Sequence, residues 1–148
     1  MTSLAFAPVS SAPQSGRNRI DPPPRAVVIG YGMAGRDRAR TLARDGYSLA
    51  IICPEAELQA RAAADHASAR IAGSLEELDY GGYFWPDCVA AIAVPAVSAC
   101  HTFHQLAWYG VRRVVLEETT VLSSRETAGI SERAEREGIT VVTEARRC

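Results

Sequence analysis

Six short apolar runs punctuate this chain, and segments of helical periodicity fill the gaps between them. The runs are Ala26-Val27-Val28-Ile29, Ser48 to Cys53, Arg70-Ile71-Ala72, Cys88 to Val94, Arg113 to Leu116 and Ile139 to Thr143. They are nearly continuous rather than alternating, the pattern of strands covered on both faces in a parallel sheet. Helices are expected over Ala34 to Asp45, Glu55 to His66 and Val97 to Tyr109. Two more begin at the Ser-x-x-Glu capping boxes Ser74–Glu77 and Ser123–Glu126. Gly46, Gly110 and Gly138 stand at helix ends. Parallel strands joined by helices require right-handed crossovers. The expectation is therefore one α/β domain, a doubly wound parallel sheet of Rossmann-like type, with strand order 3-2-1-4-5-6.

The 148 residues suit a single domain, expected over residues 25–148. Residues 1–24 are rich in Ser, Ala and Pro and close on Pro22-Pro23-Pro24, so they read as a disordered tail with a stiff end. The tail begins without Lys or Arg, and Pro8 interrupts its apolar patch, which argues against a secretory signal. With 16 Lys+Arg against 17 Asp+Glu the net charge is −1, without the basic surplus of a nucleic-acid binder. No apolar stretch is long enough for a membrane span. The four cysteines lack C-x-x-C spacing, so neither zinc nor a disulfide framework is expected, and reduced thiols point to the cytoplasm.

The chemistry concentrates at Gly30-Tyr31-Gly32-Met33-Ala34-Gly35, a G-x-G-x-x-G between the first strand and the first helix. Gly30 permits a tight turn, Gly32 lets a pyrophosphate approach the backbone, and Gly35 lets helix and strand pack closely. The helix N-terminus offers free amides and positive potential to an anion. Arg36 is placed to add a charge-assisted phosphate contact. An acidic residue near the end of the second strand would hold the ribose. That strand ends in Cys53, and the nearest acid is Glu55, behind Pro54; its other reading is simply the start of the next helix. No Arg lies between Cys53 and Glu57 to accept a 2′-phosphate, so NAD is favoured over NADP.

Taken in order, Val28 to Arg36, Ser74 to Leu78, Ala91-Ile92-Ala93-Val94-Pro95, Val114 to Thr119, and Gly138 to Val142 with Arg146-Arg147 resemble one known pattern. It is the N-terminal nucleotide-binding domain of the glucose–fructose oxidoreductase / inositol dehydrogenase (Gfo/Idh/MocA) family. The resemblance implies an NAD(P)-binding, oxidoreductase-type domain with Ala93, Val94 and Pro95 along the inner cofactor wall. Val114 to Thr119 falls where the family carries Glu-Lys-Pro; Glu117 matches its glutamate, while Glu118 and Thr119 replace the lysine and proline. Glu118 is the one catalytic candidate. It lacks the positive charge that stabilises a developing alkoxide, and would serve only as a base raised by burial. The family's substrate-binding domain is expected to be absent, so catalysis would need a partner subunit or a second copy.

Two other functions stay open on the sequence: a non-catalytic nucleotide-sensing or scaffold module, and a CoA-binding Rossmann protein, which Gly46-Tyr47, Pro54 and the 139–142 run also fit. His101 and His104 share one helix, but no local carboxylate or cysteine completes a metal set. Tyr83, Phe84 and Trp85 are expected as exposed aromatics in a glycine-rich loop.

Overall fold

The computed structural model describes residues 22–117 and 122–144. Strands and helices alternate throughout: β1 (Arg25–Ile29), α1 (Met33–Arg44), β2 (Ser48–Ile52), α2 (Ala56–Asp65), β3 (Arg70–Ala72), α3 (Leu75–Tyr80), β4 (Cys88–Ile92), α4 (Ala96–Tyr109), β5 (Arg113–Glu117), α5 (Ser124–Glu137) and β6 (Thr140–Glu144). All five strand pairings are parallel, in the order β3-β2-β1-β4-β5-β6, as the apolar runs predict. The order reverses between β1 and β4, where α/β sheets open a crevice at the carboxyl ends of their strands.

Each face of the sheet carries its own core. Val28, Ile51, Ala91 and Val115 pack with Tyr31, Ala39, Leu42 and Ala62 of the α1–α2 layer. Val27, Ala90, Ile92 and Val114 pack against Leu78, Phe103, Leu106 and Ile130 on the other side. Burying each large side chain stabilises the fold by about 1.5–3 kcal/mol. On α1 the buried stripe is Gly35, Ala39 and Leu42, while Ala43 is exposed.

Both capping boxes start helices where expected. Ser123 and Glu126 exchange hydrogen bonds with each other's backbone N–H. Ser74 Oγ accepts from Glu77 N–H, but the Glu77 carboxylate turns one residue further, to the N–H of Gly73. The aromatic loop departs from expectation. Trp85 is buried, donates from Nε1 to Asp79 at 2.8 Å and stacks on Tyr109 at 4.8 Å. Tyr83 meets it edge-on and is half-buried; only Phe84 is substantially exposed. Helix α3 is short, so these rings, rather than a longer helix, cover the sheet beside β4.

Of the expected tail, residues 1–21 lie outside the described residues; Pro24 reaches the sheet, its carbonyl accepting from Ser48 N–H. Among the described residues no helix is long and apolar enough to cross a membrane, and no cluster of His, Cys, Asp and Glu could hold a metal ion.

Candidate functional site

The turn leaving β1 is fixed by contacts that only glycine permits. Gly30 has φ +104°, in the left-handed region, and a Cβ there would fall 2.3 Å from the Ala93 carbonyl oxygen. A Cβ on Gly35 would fall 1.8 Å from the Gly30 carbonyl oxygen. The absence of both side chains lets α1 begin directly against the ends of β1 and β4. Hydrogen bonds tie the same place together: Gly30 N–H to Ile52 O, Ala93 N–H to Ile29 O, and Arg36 N–H to Gly32 O, at 2.8–2.9 Å.

Gly32 is different. It caps α1 with φ −76°, a conformation open to any residue, and a Cβ placed on it would meet nothing within 4 Å. No side chain caps the helix there. The first amides of α1, through Gly35, therefore have no intrahelical acceptor, and they carry the positive end of the helix dipole. Gly30, Gly32, Met33, Ala34, Gly35, Ala93, Val94 and Pro95 come together around this crevice or at its rim, with Met33 71% exposed and Pro95 the N-cap of α4.

The side chains of the other expected residues make contacts of their own. Arg36 has its Nε 3.9 Å from Asp65 Oδ2, so its guanidinium engages α2. Tyr31 is 1% exposed, and its hydroxyl donates to Asp65 at 2.7 Å. Cys53 is buried; its N–H donates to Ala72 O and its carbonyl accepts from Gln59 Nε2. Glu55 is the exposed N-cap residue of α2. Glu117 is 1% exposed, and its carboxylate accepts from Arg38 Nε at 2.7 Å and from Nη2 at 3.4 Å. The same guanidinium lies 3.6 Å from Glu144, at the equivalent end of β6. Glu118 lies outside the described residues.

Sequence reasoning missed Arg38, Glu144 and Asp65. Arg38 falls between Gly35 and Ala39 on the buried side of α1; a charge in that stripe was itself the signal that a buried partner must exist.

Burial holds the Tyr31 hydroxyl up to about 12, aided by its bond to Asp65 and that carboxylate's charge. The same bond, with Arg36 nearby, holds Asp65 below its ordinary value. The sign for Tyr31 follows. An unfolded chain would ionise it near its usual 10, so its contribution to stability is intact below pH 10 and fades as the pH rises toward 12. Alkaline melts are expected to show the wild type losing stability more steeply across that window than Tyr31→Phe; parallel curves would remove Tyr31 as the cause.

A concavity of about 470 Å³ lies between α5 and β5–β6, lined by Leu116, Leu122, Ile130, Ala134, Ile139 and Val141 among others. Among its described lining residues Glu135 carries the one charge, which disfavours an anion. The crevice at the glycine turn is thus the candidate site.

No protein-family model and no curated protein matches this chain. Solved structures do. A Listeria innocua NAD-binding protein superimposes with a TM-score of 0.65 at 24% identity, covering 81% of this chain and 34% of its own. An Agrobacterium radiobacter oxidoreductase, solved in complex with NAD+, L-tartaric acid and magnesium, gives 0.71 at 15% identity, covering 82% and 35%. Myo-inositol 2-dehydrogenase from Lactobacillus plantarum gives 0.70 at 16%, covering 83% and 36%. The chain spans about a third of the length of each. At these identities the likeness is one of fold: the six-stranded sheet is that of Rossmann-type oxidoreductase domains, among them an inositol dehydrogenase of the kind the sequence resemblance points to.

Proposed function

We propose that this domain binds a nicotinamide dinucleotide, NAD or NADP, with its pyrophosphate on the free amides of α1. The observation that carries the reading is Gly32. Neither backbone conformation nor packing calls for glycine at that position, yet a side chain there would occupy the space an anion needs beside the amides. The adenosine half would lie toward Cys53 and Glu55 at the end of β2, and the inner half along Ala93, Val94 and Pro95. Exposed Glu55 without an arginine beside it favours NAD.

The fold neighbours support the same reading, one being an NAD-binding protein and another an NAD+ complex. When bound, the cofactor supplies hydride chemistry; what this chain contributes is orientation of the dinucleotide. Any oxidoreductase turnover would draw its substrate wall from outside the described residues, a partner subunit or a second copy being the sources we expect. We place the protein in the cytoplasm because its four cysteines lack C-x-x-C spacing; among the described residues Cys53, Cys88 and Cys100 are free thiols. Burial pushes the Cys88 thiol up to about 12, so it is an inert packing group.

The test is a ligand-shift melting screen with NAD, NADP, CoA and adenine nucleotides, backed by NADH fluorescence titration. NAD(H) is expected to stabilise the fold and to bind more tightly than CoA. Gly32→Val is expected to weaken NADH binding by roughly tenfold or more, while leaving the unliganded melting temperature within about 2 °C, since the side chain projects into open space. Unchanged affinity in that variant would remove the pyrophosphate from this turn.

A further inference from the structure

The glycine turn contains one side chain that reaches back into the protein. From residue 30 to 35, three positions are glycine, Ala34 is short and Met33 is 71% exposed. Tyr31, between the first two glycines, is 1% exposed. Its ring packs in the α1–α2 core with an edge toward His66, at a centroid distance of 6.4 Å. Its hydroxyl donates at 2.7 Å to Asp65, the last residue of α2, 34 positions along the chain. Asp65 also faces Arg36 Nε at 3.9 Å, one turn into α1. Turn, α1 and the end of α2 therefore meet at one carboxylate.

We infer that Tyr31 is a positioning residue: through its bond to Asp65 it holds the Gly30–Gly32 turn in the shape that aims the free amides of α1 at their ligand. Glycine loses more conformational freedom on ordering than any other residue. A turn with glycine at both ends is costly to order, and Tyr31 adds a side-chain hold to the backbone bonds of Gly30 and Arg36. A phenylalanine would fill the same core space. The hydroxyl adds a directional, charge-assisted bond to an element otherwise remote in sequence. Preordering a binding segment raises affinity by lowering the ordering cost at the moment of binding. The inference rests on the dinucleotide reading for its affinity arm and is independent of it for its exchange arm.

The experiment compares the full chain with Tyr31→Phe, Asp65→Ala, their double variant and Asp65→Asn, which keeps an acceptor for the hydroxyl. In the unliganded protein, the Gly30 and Arg36 amides, bonded to Ile52 O and Gly32 O, are expected to exchange about fivefold faster in Tyr31→Phe and Asp65→Ala, and at near wild-type rates in Asp65→Asn. The Kd for NADH, measured well below the melting transition, is expected to rise about fivefold in the same two variants. The double variant should be no worse than either single, because one bond is lost in all three. Unchanged exchange in Tyr31→Phe overturns the inference whatever the wild type binds. So does faster exchange with unaltered affinity, which would make the bond merely structural. A wild type that binds no NADH sinks the dinucleotide reading instead, and the exchange arm still decides whether Tyr31 holds the turn.

Discussion

Arg38→Met is expected to destabilise the protein by about 3–5 kcal/mol, the cost of leaving a buried carboxylate without its cation. Glu117 is 1% exposed at the end of β5, and Arg38 donates two hydrogen bonds to its carboxylate. Glu144 stands beside it in register on β6, so removing the guanidinium leaves two carboxylates facing one another at the edge of the sheet. Glu144 is nearer to solvent, and the larger part of the loss falls on Glu117. Adding Glu117→Leu to Arg38→Met should recover much of the deficit, because an apolar pair of similar volume carries no unpaired charge. Urea unfolding of the three proteins checks this. A single Arg38→Met variant within about 1 kcal/mol of wild type would mean that water reaches Glu117.

Gly35→Ala is expected to cost on the order of 3 kcal/mol and to abolish dinucleotide binding. The added Cβ would lie 1.8 Å from the Gly30 carbonyl oxygen and 2.7 Å from its carbon. Both are backbone atoms, held by the bonds of Gly30 to Ile52 and of Ile29 to Ala93. No rotamer change relieves the contact, so α1 must retreat from β1 and carry its free amides with it. The contrast with Gly32 is the sharper test. Gly32→Ala is expected to melt like the wild type, because its Cβ meets nothing. Calorimetry of the two unliganded variants separates a glycine needed for folding from one kept for a ligand. Equal melting temperatures would contradict the geometry of the turn.

Glu117 matches the family's glutamate by resemblance, and in the fold its carboxylate accepts from Arg38. This makes Glu117 an anchor between α1 and the ends of β5 and β6. Arg36 likewise turns to Asp65 rather than serving only as a phosphate ligand. In both cases a charged side chain near a helix start meets a carboxylate of another element, buried at Glu117 and exposed at Asp65. Trp85 shows the same effect among apolar groups: a glycine-rich context read as exposed loop, yet the ring found Tyr109 and Asp79 to pack and bond with.

The alternation of strand and helix, the parallel pairing and order of the sheet, the capping serines and the place of the glycine turn are all legible in the residues alone. Each is written in local features: continuous apolar runs, helical period, a hydroxyl or a glycine at a set offset. Tertiary structure alone decided that Tyr31 meets Asp65, that Arg38 joins Glu117 to Glu144, and that Gly32 opens on empty space while Gly30 and Gly35 do not. A residue's periodicity says which face of its element is buried. What stands opposite depends on how two or three elements, tens of residues apart, come to lie against one another, and no local pattern carries that distance.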